Sequence, residues 1–280
     1  VYYWGQNSYG AAHPTEPKQW EKDLDEYCND STADVINLSF LNVFNAGSDL
    51  PEVNFANHCE TLFPPPASKL RTCPIIGKSI KHCQSKGKTI LLSLGGAIAS
   101  TGFSSKDAAS AFADMLWNMF MEGNHKYRPF EDALIDGIDL DLEGGSQSHY
   151  DVFLAKLQTY FKSSSRKYYV TAAPQCDFPD RNLQTIMEQG HMDAIFIQFY
   201  NNWCGVQNYG NQWAWNWPAW SVWAKTKSYN KNVKLYLGIP ASRTAAGTGF
   251  VEIKGLQPII NDLRKDPVFG GVMLWDASQS

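Results

Sequence analysis

Short apolar runs alternate with longer amphipathic stretches along the whole of this 280-residue chain. Runs at 1–4, 35–41, 89–93, 137–141, 168–172, 194–198, 235–238 and 271–275 read as eight strands. Between several of them the apolar positions take helical spacing, at 17–27, 75–84, 106–121, 150–161, 181–188 and 255–263. Strand and helix in alternation predict the α/β class, a parallel sheet with covering helices. No internal repeat or low-complexity linker breaks the pattern, and the long Pro- and Gly-rich loop at 42–74 reads as a cleft wall.

One of these strands carries an unusual load. Residues 135–145 read Ile-Asp-Gly-Ile-Asp-Leu-Asp-Leu-Glu-Gly-Gly. Side chains two apart in a strand point the same way, so Asp139, Asp141 and Glu143 share one face while Ile138, Leu140 and Leu142 share the other. A solvated edge strand would tolerate such acids, but the apolar neighbours and the Gly pair suit a central strand entering a loop. Three acids in a core strand repel one another and resist desolvation, so their proton affinities are expected to be perturbed and coupled. Asp136 falls on the apolar side and reads as a structural hydrogen-bond acceptor.

At this motif the chain resembles the family 18 glycoside hydrolases, whose signature Asp-x-x-Asp-x-Asp-x-Glu is met by Asp136, Asp139, Asp141 and Glu143. The second signature, Ser-x-Gly-Gly, is Ser93-Leu94-Gly95-Gly96, and further matches are Tyr3-Trp4-Gly5-Gln6-Asn7, Ala172-Ala173-Pro174-Gln175-Cys176, Gln198-Phe199-Tyr200-Asn201-Asn202 and Gly271-Val272-Met273-Leu274-Trp275. The resemblance runs the length of the chain and is nearest to the compact plant-type and fungal endochitinase branch, since no stretch is long enough for an added α+β insertion. It implies a single-domain TIM (β/α)8 barrel over residues 1–280, with functional residues at the carboxyl ends of the strands. Because only five residues follow Trp275, the eighth helix is expected to be short or missing, and the natural protein to continue, into a linker and binding module.

Composition narrows the class further. At 44% hydrophobic the chain can bury a sizeable core, and this alone suits one barrel as well as two small domains. A net charge of −4 without a basic run argues against nucleic acid or an anionic membrane as partner, and no apolar segment approaches the ~20 residues of a membrane span. The chain starts at Val1 with no leader pattern, so any signal peptide is expected to have been removed. The six cysteines lack zinc-site spacing and favour disulfides, though sequence permits fifteen pairings. The resemblance implies Cys28–Cys83, Cys59–Cys73 and Cys176–Cys204, with secretion or a cell-wall location. The Asn29-Asp30-Ser31 sequon agrees with secretion.

The resemblance also implies the chemistry. Glu143 is the expected general acid, its pKa raised by enclosure and neighbouring charge. No carboxylate serves as nucleophile: the substrate's own N-acetyl carbonyl attacks and forms an oxazolinium ion, so neither metal nor cofactor is needed. Asp141 is expected to bind the acetamido N–H, Tyr200 its oxygen, and Asp139 to share a proton with Asp141. Trp275 would floor the sugar site, with Gln198, Gln6, Tyr3 and Asn54 as further contacts and Gly95 and Gly96 as small residues that leave room in the cleft. Non-proline cis peptides are expected at Ser39–Phe40 and Trp275–Asp276. Among the tryptophans, Trp220 and Trp223 sit at helical spacing and read as core, while Trp213, Trp215 and Trp217 stay open. The expected function is a retaining, monomeric endochitinase acting on chitin and N-acetylglucosamine oligomers. Its rivals are an endo-β-N-acetylglucosaminidase of N-glycans and a non-catalytic lectin or inhibitor on the same barrel.

Overall fold

The computed structural model describes residues 1–44 and 50–280. Ten strands are described: β1 (Tyr2–Trp4), β2 (Val35–Phe44), β3 (Glu52–Val53), β4 (Thr89–Gly95), β5 (Ser100–Thr101), β6 (Gly137–Asp141), β7 (Tyr169–Ala172), β8 (Ala194–Gln198), β9 (Lys234–Pro240) and β10 (Phe269–Trp275). Eight of them pair in parallel in the order β1-β2-β4-β6-β7-β8-β9-β10, and β10 returns to β1 through Tyr2 and Leu274. The sheet is therefore a closed barrel, the TIM architecture, and each of the eight predicted runs supplies one of its strands. At the seam the Val1 ammonium donates to the Val272 carbonyl at 2.9 Å and Asp276 takes the Ser8 amide and hydroxyl at 3.0 and 2.8 Å.

Eight helices lie among the described residues: α1 (Ser8–Ala12), α2 (Leu24–Tyr27), α3 (Pro74–Ser85), α4 (Lys106–Phe120), α5 (Tyr150–Ser163), α6 (Gln184–Gln189), α7 (Trp217–Thr226) and α8 (Ile253–Leu263). Their origin is local. In α4 the Ser105 hydroxyl accepts from the Ala108 amide, Asp107 occupies the first turn, and Ala109, Phe112, Ala113, Leu116 and Phe120 form one buried stripe. Proline opens α3, where its missing N–H costs nothing. After β10 the chain makes only a 3₁₀ turn at Ala277–Gln279.

Three elements depart from the sequence expectation. The helix expected at 17–27 is a 3₁₀ turn at Pro17–Gln19 followed by the single turn of α2, because Glu21 turns inward to accept the amides of Gly5 and Asn7 at 3.0 and 3.1 Å. An extended residue, Trp20, is needed to present it. Helix α7 was not foreseen as a helix, although its core tryptophans were: Trp220 and Trp223 are buried, as is Trp217. The loop expected at 42–74 is more ordered than its composition suggests. Strand β2 runs on to Phe44, β3 folds back antiparallel on it, and Leu62 bridges to Arg71; residues 45–49 of that expectation lie outside the described residues.

Two apolar layers result. The larger lies between sheet and helices; a smaller one fills the barrel with Tyr3, Phe40, Ala173, Ala194, Phe196, Tyr200 and Met273. All six cysteines are paired, as Cys28–Cys83, Cys59–Cys73 and Cys176–Cys204. The peptides Ser39–Phe40 and Trp275–Asp276 are cis, as are Pro65–Pro66 and Phe178–Pro179.

Candidate active site

Strand β6 is buried from end to end and delivers its acids to the barrel interior. Asp139 is wholly buried and receives three hydroxyls, each at 2.7 Å: Tyr3 and Ser93 on Oδ2 and Thr171 on Oδ1. Ser93 and Thr171 are the strand neighbours of Asp139 in β4 and β7, so strand pairing itself aims their hydroxyls at it. Burial raises the Asp139 pKa, and these three bonds oppose the rise by stabilising its charge.

Asp141, 3% exposed, accepts from Gln198 Nε2 at 2.9 Å. Its pKa is driven well above the usual carboxylate range, first by burial and then by the charges of Glu143, Asp139 and Asp180. Burial and neighbouring charge thus favour the protonated form of Asp141, while the three hydroxyl donors on Asp139 favour its charged form. Glu143 lies just past β6 and is only partly buried. Among the described residues no hydrogen-bond donor engages it, and burial followed by the charge of Asp180 raises its pKa.

Above these acids opens a cleft lined by Gln6, Phe40, Asn42, Asn54, Gly95, Gly96, Ala97, Ile98, Glu143 and Trp275. The side chain of Trp275 stacks on Phe40 with ring centroids 6.1 Å apart and planes 19° from parallel. Gln6 directs its Nε2 at the carbonyls of Gly5, Ser39 and Asn54, at 3.1, 2.8 and 3.1 Å, which leaves its oxygen as the free polar atom. Asn54 is fixed in turn, its backbone paired with Phe40 and its Oδ1 accepting from the Ala56 amide at 2.9 Å. Tyr200 follows β8 and is 6% exposed; burial and then the charges of Asp141 and Glu143 hold its hydroxyl firmly protonated.

Gly95 and Gly96 are here for steric reasons. A Cβ on Gly95 would lie 2.2 Å from the Asp141 carbonyl oxygen, at a φ of +121° that side chains rarely adopt, and one on Gly96 would lie 2.8 Å from the Phe40 ring. Tyr3 is placed differently from a cleft contact: it is buried, and its hydroxyl serves Asp139. Asp136, on the outer face, accepts from Gln84, the Ile90 amide and Arg166, each at 2.9 Å.

The sequence did not single out Asp180. It follows the Phe178–Pro179 bond, is 5% exposed, and accepts the amides of Gln175, Asn182 and Leu183 at 3.0, 2.8 and 2.6 Å. Nothing local marks it, since Glu143, whose pKa its charge helps to raise, lies on another strand's loop. Thr171 was equally overlooked, yet the β6–β7 pairing identifies it. Among the described residues no group of three or more His, Cys, Asp and Glu side chains could hold a metal ion.

Comparisons with known proteins show which proteins the chain is similar to. The sequence profile described as "Glycosyl hydrolases family 18" matches residues 1–252. The chain is 46% identical over 281 residues to Chitinase 1 of Rhizopus niveus, covering all of this chain and 54% of that protein. It is 42% identical over 280 residues to the Endochitinase of Saccharomyces cerevisiae, covering 99% of this chain and 46% of that one. The chain thus spans about half the length of the curated relatives it matches. Among solved structures, the ICChI chitinase from Ipomoea carnea superposes with a TM-score of 0.80 at 32% identity, over 99% of this chain and 94% of that one. A xylanase–α-amylase inhibitor protein, in complex with trehalose, gives 0.81 at 32% identity, over 99% and 92%.

Proposed function

The chain belongs to glycosyl hydrolase family 18, and we propose that residues 1–280 form the catalytic domain of a retaining endochitinase, which cleaves β-1,4 links between N-acetylglucosamine units by substrate-assisted catalysis. One observation carries this reading: among the described residues the cleft lining holds a single carboxylate, Glu143, with its pKa raised, above the buried Asp139 and Asp141. One free acid can protonate a leaving oxygen. With Asp141 almost wholly buried and bound to Gln198, no second carboxylate stands ready in the cleft as nucleophile, and the substrate's acetamido oxygen fills that role.

The remaining roles follow from the surroundings. Glu143 gives its proton to the glycosidic oxygen, then takes one from the water that opens the oxazolinium ring. Asp141 turns toward the acetamido N–H and passes its proton to Asp139, whose three hydroxyl partners can rotate to suit either state. Positive charge then grows next to an anionic Asp141, where burial makes the attraction strong. Tyr200 donates to the acetamido oxygen. Trp275 supplies the apolar floor for ring and methyl, and Gln6, Asn54, Gly95 and Gly96 shape the adjoining cleft. Tyr3 and Gln198 act through the two aspartates. The chemistry requires neither metal nor organic cofactor.

The three disulfides and the chitinase relatives support a secreted or cell-wall enzyme whose partner is chitin. The barrel alone does not decide catalysis, since an inhibitor protein shares it. Incubation with chitin oligomers and, separately, with an N-glycan tests the reading by chromatography of the products. Shortened oligomers and an intact glycan are expected. Release at the glycan's chitobiose core with oligomers untouched would mark an endo-β-N-acetylglucosaminidase, and binding without products a lectin-like protein.

A further inference from the structure

The cleft residue Gln6 stands between two backbone amides that share one acceptor. Gly5 and Asn7 donate at 3.0 and 3.1 Å to the same atom, Glu21 Oε2, and the Glu21 amide returns a bond to Asn7 Oδ1 at 3.0 Å. Amides on either side of one residue converge on a single oxygen only where the backbone curves tightly around it. Gly5 and Asn7 make that curve, both with left-handed backbone at φ of +113° and +49°. Glu21 lies on another segment, yet its side chain is wholly enclosed at this place.

A third partner joins from the next loop. His58 Nε2 lies 3.0 Å from the same Oε2, and its buried ring rests against Trp4 with centroids 4.4 Å apart. His58 follows Asn54 by four residues and precedes Cys59, which is bonded to Cys73. Gln6 and Asn54 meet in turn, since Gln6 Nε2 donates to the Asn54 carbonyl at 3.1 Å. One carboxylate oxygen therefore holds both the backbone under Gln6 and the loop that carries Asn54, two of the polar residues that line the cleft.

We propose that Glu21, clamped by His58, is a positioning residue for the chitin chain: it fixes the backbone of Gln6 so that the carboxamide nitrogen spans the carbonyls of Gly5, Ser39 and Asn54 and the carboxamide oxygen faces the substrate. This rests on the chitinase reading above. Glu21 touches no sugar and acts through Gln6. Released from that hold, the carboxamide can turn and offer its nitrogen, a donor where the substrate met an acceptor. The effect falls on the binding of the oligomer, and the proton transfer from Glu143 is left as it was.

A double-mutant cycle tests this route. Glu21→Leu keeps the volume but removes the acceptor, and Gln6→Ala removes the residue that Glu21 positions. Each should raise KM for a chitin hexamer about three- to tenfold, the scale of one hydrogen bond, with kcat little changed. Together they should do no more than either alone, because the second change acts on an interaction already lost. Glu21→Gln, which offers a carboxamide oxygen to the same two amides, should restore most of the affinity. Additive effects of the pair, or a Glu21→Leu that lowers kcat with KM unchanged, overturn the positioning role. If Glu21→Leu does not fold, His58→Leu, which leaves both amides on Glu21, takes its place in the cycle with the same expectation of non-additivity. A parent chain that does not cleave the hexamer ends the chitinase reading first, and the positioning role with it.

Discussion

Asp141 and Glu143 stand two residues apart, yet one is sealed beneath the cleft and the other opens into it. Glu143→Gln keeps the shape of the acid without its proton, so turnover of chitin oligomers should fall by about 10²- to 10⁴-fold while oligomer affinity is retained. Near-normal turnover would remove Glu143 from the acid's role. Asp180 bears on the same proton. Its charge raises the Glu143 pKa, the acid must be protonated to act, and activity is therefore lost as pH rises through that pKa. Asp180→Asn removes the charge and should move the alkaline limb of kcat/KM to lower pH; a limb that stays in place or moves up would show that Asp180 matters only to its loop. Of these residues the acids were legible because period two in a strand is written in the sequence. Asp180 and Thr171 were not, since their relation to the acids exists only once strands and loops are paired.

At the scale of elements, the close approach of β4 to β6 depends on Gly95. The added methyl of Gly95→Ala would meet the Asp141 carbonyl oxygen, and its φ of +121° disfavours any side chain. The variant should lose about 2–4 kcal/mol in denaturant unfolding together with most activity, as expected of a clash that forces backbone to move. A variant as stable as the parent would show that the strands can separate without harm. The eight strands could be read in sequence because each is a short apolar run closed by turn residues. Helices with one buried stripe, such as α4, were equally plain. The break before α2 was hidden because Glu21, an ordinary helical residue by composition, answers to the amides of Gly5 and Asn7. Helix α7 was obscured by its tryptophans, which suit a core helix and a sugar-binding loop alike.

Across the whole molecule the site is a source of instability. Burial raises the folded-state pKa values of Asp139, Asp141 and Glu143. Between the unfolded and folded values the native chain holds more protons than the unfolded one, so this contribution to stability declines as pH rises above the ordinary carboxylate range. Asp141→Asn removes the largest part of that penalty and keeps an oxygen to accept from Gln198. It should therefore raise the midpoint of thermal unfolding at pH 7 by more than at pH 4, while reducing kcat more than it raises KM. A shift of equal size at both pH values would mean that ionising the buried acids costs the fold nothing.

The central claim is that the acetamido group of the substrate, and not a side chain, is the nucleophile. Anomer-resolved NMR of a chitin oligomer beside its fully deacetylated counterpart tests it most directly: opening of an oxazolinium ion by water restores the original configuration, and only the acetylated sugar can form that ion. The β anomer should appear first from the chitin oligomer, and the deacetylated one should stay intact. If the α anomer appears first, or if the deacetylated oligomer is cut at a comparable rate, the acetamido group is not the nucleophile, and Asp141 would have to be reassigned as a base or as the nucleophile itself.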